Sequence, residues 1–372
     1  MKISIYNDSK EFGGHEIMTA RLANALSRRH EVYFLFRNEN FEKALSEGVN
    51  RIRIKLGPNW SYGGLGSYNI IDIVCLLRIL RSIKPDLSII SQGLIELGLK
   101  CAWASKLQGI KTVSYIPLCF PLRSMGAGSG KIRDILGVYY YNLFNAFITV
   151  SEEQKSLIRS NLWGEKPIYV LDNFVDTEKA LGNSVEQKSQ GDVLKIGLIG
   201  RIVFAHKGQD KAVHIADQLR NRKIKFQFVV IGDGKDKDRL VDMINEKDLK
   251  DYFVFKGWLD NVKEIYSGID VLLITSNFEG LPLVMLEALL LRIIVLAPDV
   301  GVFKEYLDDV FLYKEYSDAA NALLNIDLLR KRFQETWEES RNTILKRHNA
   351  KAFEDSTIRI ITDISLTGNE HA

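Results

Sequence analysis

Short apolar runs alternate with amphipathic stretches along most of this chain. Residues 2–6, 31–36, 86–90, 112–115 and 146–150 are apolar and bounded by polar or turn residues, the signature of buried strands. Residues 17–29 carry Leu22, Ala25 and Leu26 at helical spacing. Between 176 and 191 the chain turns polar, with Gly and Ser and no apolar periodicity, which predicts a linker. The alternation then restarts, with strands predicted at 194–199, 226–231, 253–255, 271–275 and 293–297 and helices at 209–222 and 237–246. Alternation of this kind predicts parallel βαβ units. The expected architecture is α/β, with two Rossmann-like domains at 1–176 and 192–350. A linker at 177–191 joins them, and a helical tail over 319–364 ends in a C-terminal helix and tail at 351–372.

Length agrees, because 372 residues exceed what one core organises. The three cysteines, Cys75, Cys101 and Cys119, are odd in number and lack metal-ligand spacing. They argue against a disulfide framework or a zinc site and suit a reducing compartment. The most apolar stretch, 280–297, carries Glu287 and Arg292, which a bilayer would penalise. The N-terminus turns polar too soon for a signal peptide, so the expectation is a soluble, cytoplasmic protein. Residues 1–176 hold 22 Lys/Arg against 16 Asp/Glu, and the remainder 28 against 31. The basic first half fits an anionic partner or membrane surface, although solvated cationic faces account for the same count.

Ligands of open parallel sheets bind beyond the carboxyl ends of the strands, so the loops there hold the candidate chemistry. Gly13-Gly14 follows the first strand and precedes a helix, a setting for close approach to a phosphate or sugar, or for a plain tight turn. The Gly-x-Gly-x-x-Gly fingerprint is absent there, against a nicotinamide dehydrogenase. Another strand ends at Gly200, and Arg201 and Lys207 follow six residues apart. Together they would clamp a diphosphate, and a solvated basic loop is the plainer account. His206, between them, is expected to be exposed. Gly232-Asp233-Gly234 is a further permissive turn. The most informative segment runs from Ser276 through Glu279-Gly280-Leu281-Pro282-Leu283-Val284 to Glu287. Pro282 suits a helix start. If wholly helical, the segment would separate Glu279 from Glu287 by about 12 Å. That exceeds the roughly 5–9.5 Å of a glycosidase carboxylate pair. It suits two ends of one larger ligand, with the amides of Leu283 and Val284 facing an anion between them.

Together and in this order these features resemble the family 4 glycosyltransferases, retaining enzymes of the GT-B fold. The matches are Glu279 and Glu287 within Glu-Gly-x-Pro-x-x-x-x-Glu-Ala, Arg201 with Lys207, Gly232-Asp233-Gly234, Val254-Phe255-x-Gly257, Asn173-Phe174-Val175-Asp176 and Gly13-Gly14. The resemblance implies two Rossmann-like domains facing across a cleft, with the C-terminal helical tail crossing back to the first. It implies that Glu287 holds the nucleotide ribose and Glu279 the hydroxyls of the transferred sugar. Arg201 and Lys207, with the amides of Leu283 and Val284, would stabilise the leaving diphosphate. The remaining contacts to the sugar donor would come from Gly200, Gly280, Gly257 and Leu259 near the base, and Gly13 and Gly14 from across the cleft. No metal and no cofactor are implied, a UDP- or GDP-linked sugar being substrate. The acceptor would be a glycan or lipid-linked saccharide, met on the cytoplasmic membrane face in O-antigen, capsule or lipopolysaccharide synthesis. The Gly-rich basic stretch 121–133 reads as a mobile loop at the cleft mouth that could meet a lipid-linked or membrane-surface acceptor, with an ordinary flexible loop as the plainer account, and no nucleic acid partner is expected. The chain departs from the family pattern at Arg292 and Val302, where Gly is usual, and at Ile294, where Pro is usual. Residues 113–118 also lack the His that many members carry. A nucleotide-sugar 2-epimerase of the same fold and a non-catalytic partner subunit are the competing readings.

Overall fold

The computed structural model describes residues 1–57, 69–177, 193–259 and 261–367. The predicted linker, 177–191, lies outside the described residues except for Thr177. The chain divides into two compact units, one comprising Met1–Asn173 with Lys351–Ala372, the other Phe174–Ala350.

The first unit is built on seven parallel strands: β1 (Lys2–Asn7), β2 (Glu31–Phe36), β3 (Val49–Arg53), β4 (Leu87–Ser91), β5 (Lys111–Tyr115), β6 (Ala146–Thr149) and β7 (Ile168–Val170). Their order is β3-β2-β1-β4-β5-β6-β7. The central strands are almost wholly buried because helices cover both faces, and polar residues lie among their apolar ones, Ser4 of β1 donating to Ser88 of β4 at 3.0 Å. β3 is an edge strand, Val-Asn-Arg-Ile-Arg, with three of its five residues exposed. It lacks the apolar run by which its neighbours were found.

The second unit repeats the scheme with β8 (Leu194–Ile199), β9 (Phe226–Ile231), β10 (Phe253–Gly257), β11 (Val271–Leu273), β12 (Ile294–Pro298) and β13 (Leu312–Tyr313). All are parallel, in the order β10-β9-β8-β11-β12-β13. Ile196, Leu198, Phe228, Leu272 and Leu296 fill its core beside Met285, Leu286 and Leu289 of the helix Leu283–Leu290.

The predicted tail comprises three helices, Tyr316–Leu324, Ile326–Arg347 and Ala350–Leu366. The chain breaks at His348, whose ring is hydrogen-bonded to the Tyr306 hydroxyl at 2.7 Å and whose carbonyl accepts the Val175 amide. The last helix buries Phe353, Ile360, Ile361 and Ile364, and it returns to the first unit. There Arg28 reaches Glu354 at 2.5 Å and Lys111 Nζ donates to the Ile364 carbonyl. Among the described residues no helix is long and apolar enough to cross a membrane.

At the ends of β8 and β9 the backbones almost touch. Gly232 has φ +133°, and a Cβ there would lie 2.1 Å from the Gly200 carbonyl oxygen. Gly232→Ala therefore combines a left-handed backbone with a backbone clash, and we expect a loss of at least about 2 kcal/mol in urea unfolding. Gly164→Ala, where nothing lies within 4 Å of the added carbon, is the control and should be near neutral.

Candidate active site

β8 and β11 are neighbours in the second sheet, and strand order reverses between them. Connections leave such a pair in opposite directions, so a crevice opens beyond their carboxyl ends. Arg201 follows β8 directly and is half-buried, and a single helical turn, Phe204–Lys207, comes next. β11 leads into the segment from Ser276 to Gly280 and then into the helix Leu283–Leu290.

Backbone-directed hydrogen bonds tie these two connections together. Thr275 Oγ1 donates to the Lys207 carbonyl at 2.7 Å, and the Asn277 amide to the His206 carbonyl at 2.8 Å. Asn277 Nδ2 reaches the Phe204 carbonyl at 3.1 Å. Gly208 makes the approach feasible, since a Cβ there would lie 2.4 Å from the Thr275 carbonyl oxygen. Gln209 braces the other side, donating to the Arg201 carbonyl at 2.6 Å and accepting the Val203 amide at 3.3 Å.

This framework brings Lys207 Nζ to 2.6 Å from Glu279 Oε1, which also accepts the Ser276 hydroxyl at 2.6 Å. Burial alone would raise the Glu279 pKa. The Lys207 charge, with the hydrogen bonds from Lys207 and Ser276, outweighs it, so the carboxyl sits below its usual range. His206 is half-buried rather than exposed as expected from the sequence, because the Asn277 backbone packs its turn against the β11 connection. Its pKa falls to about 4, first through desolvation and then through the Lys207 charge, with Arg201 adding to the effect. Its Nε2 is buried with no hydrogen-bond partner among the described residues, an arrangement for a neutral ring.

Glu287 sits within the helix and belongs to a separate hydrogen-bond set. The hydroxyl of fully buried Tyr266 donates to Glu287 Oε2 at 2.9 Å and lies 3.1 Å from the Val284 carbonyl. Burial and the Glu287 charge push the Tyr266 pKa up. Leu283 and Val284 are the first two helical residues, whose amides have no acceptor within the helix. Gly280 is buried just upstream. Gly257 ends β10 at φ +68°, its carbonyl accepting the Gly232 amide at 2.7 Å, and Leu259 is half-buried two residues on. The second unit thus gathers Gly200, Arg201, Lys207, Glu279, Gly280, Leu283, Val284 and Glu287 along one edge of its sheet. Gly13 and Gly14 lie in the first unit, starting the helix Gly14–Ser27, where the Glu16 side chain accepts the Gly13 amide at 3.0 Å. Sequence reasoning assigned no role to Ser276, Tyr266 or His206. Ser276 had a signal, three residues before Glu279, whereas Tyr266 lies 21 residues from Glu287 and gave none. Among the described residues no three His, Cys, Asp or Glu side chains cluster as metal ligands.

Two parallel-sheet units, the second with cationic and acidic side chains at a strand-order reversal, define an open α/β architecture whose ligand crevice lies beyond the carboxyl ends of the strands. Residues 12–179 match the family described as Glycosyltransferase Family 4, and residues 183–362 match Glycosyl transferases group 1. The chain belongs to these glycosyltransferases and is itself one. It is 25% identical over 298 residues to the lipopolysaccharide 1,6-galactosyltransferase of Escherichia coli K12, covering 78% of this chain and 77% of that one. It is 23% identical over 314 residues to the O-antigen biosynthesis glycosyltransferase WclY of Escherichia coli, covering 84% of each. Among solved structures, Anabaena Alr3699/HepE in complex with UDP-glucose superposes with a TM-score of 0.79 at 18% identity, over 98% of this chain and all of that one.

His206 makes stability pH-dependent. An unfolded imidazole takes a proton near pH 6.5, and the folded one only near 4. Across that window the unfolded chain binds the extra proton, so stability falls as pH drops, by on the order of 3 kcal/mol in full. Glu279, with a lowered folded pKa, loses its contribution only below about pH 4.5. Melting His206→Gln and the native protein from pH 7 to 4.5 should give a flatter profile for the variant. Parallel profiles would remove His206 from the account.

Proposed function

We propose that the chain moves a sugar from a nucleoside diphosphate, UDP- or GDP-linked, to a hydroxyl of a glycan or lipid-linked saccharide. The anomeric configuration is retained and no metal is required. The observation that carries this reading is the Lys207–Glu279 pair at the strand-order reversal, beside Arg201 and ahead of the helix that begins at Leu283. Glu279, held anionic, accepts hydrogen bonds from hydroxyls of the transferred sugar. Glu287, oriented by Tyr266, does the same for the ribose. Arg201 and Lys207 face the diphosphate with the first amides of the helix. They gain strength as the anomeric C–O bond breaks and charge builds on the leaving phosphate. In that role the two cations supply the charge that a divalent ion supplies elsewhere. The acceptor oxygen forms the new bond on the same face, and its proton passes to the departing phosphate oxygen. No side-chain base is then needed, in keeping with a neutral, half-buried His206.

Lipopolysaccharide and O-antigen transferases among the relatives support a role in bacterial surface polysaccharide assembly. The solved relative that holds UDP-glucose supports the class of sugar donor. A lipid-linked acceptor of such a pathway would be met at the cytoplasmic membrane face, so the proposal includes peripheral contact there.

Thermal melts in EDTA with UDP, GDP, ADP, dTDP and CMP test the sugar-donor site. One nucleoside diphosphate at about 100 times its dissociation constant should add roughly 2.7 kcal/mol, and a flat response to all would sink the reading. Glu279→Gln and Lys207→Ala should each lower kcat/KM by about 10²–10³, with free nucleoside diphosphate as product and no isomerised nucleotide sugar, which separates transfer from 2-epimerisation. Tyr266→Phe should weaken nucleotide binding about five- to tenfold by titration calorimetry, since Glu287 loses one hydrogen bond.

A further inference from the structure

The helix Gly130–Tyr141 in the first unit carries its polarity reversed. Arg133, Gly137, Tyr140 and Tyr141 face inward, while Ile132, Ile135, Leu136 and Tyr139 face outward at spacings of three, four and seven residues. Rotation of the helix is held by buried Arg133, which forks onto the Glu96 carboxylate, with Nε at 3.0 Å from Oε2, and reaches the Gly128 carbonyl. Ile135 is 64% exposed. Trp163, 66% exposed, meets Tyr139 edge to face at 5.1 Å and extends the patch, and its amide is bonded to Asn142 just past the helix. Five large apolar side chains thus share one outward surface with no covering element among the described residues.

Cations stand at both ends of this patch. Arg123 and Lys131 are exposed at the start of the helix. Beyond its end Lys166 donates to the carbonyls of Asn142 and Phe144, with Lys106 near enough to help depress its pKa after burial has done so. Of the acids nearby, Asp134 accepts the amides of Leu122 and Arg123 and pairs with Arg123, and Glu96 is held by Arg133. Glu165 adds one exposed carboxylate beside Trp163.

From these observations we propose that this face docks on an anionic lipid bilayer, with Ile132, Ile135, Leu136, Tyr139 and Trp163 entering the headgroup–acyl boundary and the exposed Arg123 and Lys131 meeting lipid phosphates. An apolar strip carrying Trp and Tyr between two cationic ends has the chemistry of an interfacial helix. Pairing with a second copy is disfavoured by the same charges, because parallel or antiparallel apposition of two such helices sets cations against cations. The biological purpose rests on the reading that the acceptor is lipid-anchored. The lipid contact itself does not depend on the sugar-donor site.

Co-sedimentation of the full chain with phosphatidylcholine vesicles, with and without 30% phosphatidylglycerol, tests this. Binding should be strong only with phosphatidylglycerol and should fall with salt. Ile135→Ser with Tyr139→Ser should lower partitioning at least tenfold, and Arg123→Glu with Lys131→Glu by roughly tenfold or more. All these side chains are exposed, so the melting temperature should stay unchanged. Trp163 emission should shift to the blue on phosphatidylglycerol vesicles, and the shift should vanish in Trp163→Phe. Absence of vesicle binding, equal binding by the variants, or a dimer abolished by the apolar pair would each overturn the proposal. Vesicle binding in a chain that no nucleoside diphosphate stabilises would sink the sugar-donor reading and leave this one standing.

Discussion

A buried carboxylate governs the second unit. Glu279 is only 8% exposed, and an ionised carboxylate removed from water costs several kcal/mol unless a cation and hydrogen bonds replace the lost hydration. Lys207 and Ser276 supply both. They can do so only if the connections after β8 and β11 lie against each other, which requires Gly208 where a side chain would strike the Thr275 carbonyl. The ion pair is therefore a consequence of backbone packing and also a demand upon it. Breaking it from either side leaves an uncompensated charge.

The same packing determines the chemistry open to the site. Two cations and a half-buried imidazole share a small volume, and the imidazole is the group that gives way, its pKa pushed down to about 4 while the Glu279 carboxyl sits below its usual range. A site so arranged is suited to receiving negative charge and poorly suited to abstracting protons. Glu287 accepts the Tyr266 hydroxyl whereas Glu279 accepts Lys207 and Ser276, so the two glutamates of one short segment have different hydrogen-bond donors.

Departures from the family pattern have local physical accounts. Arg292 stands where Gly is usual and keeps the left-handed backbone, φ +62°, at a cost of about 1 kcal/mol. Its guanidinium lies 4.8 Å from the ring centroid of Trp337, a cation–π contact that offsets part of that cost. Val302 is buried in a short 3₁₀ turn, and Ile294 opens β12. In the first unit Tyr115 occupies the stretch that lacks a His, and the ring of His15, next to the glycine pair, lies 5.1 Å from it.

The sequence by itself determined the layers, the strand alternation and the principal charged residues. Strands buried on both faces are rich in apolar residues, so β1, β2, β4, β8 and β9 announce themselves, and the Glu279–Glu287 spacing with Pro282 between them marks a loop entering a helix. It did not reveal β3, an edge strand whose residues face water, or the two-residue β13. It also left Arg201 and Lys207 as a plausible solvated loop. Only the tertiary structure decided that Lys207 meets a carboxylate 72 positions away, that Tyr266 orients Glu287, and that the helix Gly130–Tyr141 turns its apolar side to solvent. Hydrophobic periodicity is local and survives in the order of residues. Partners across the sheet are set by strand order and by where glycines let two backbones meet, which appear only once the chain has folded.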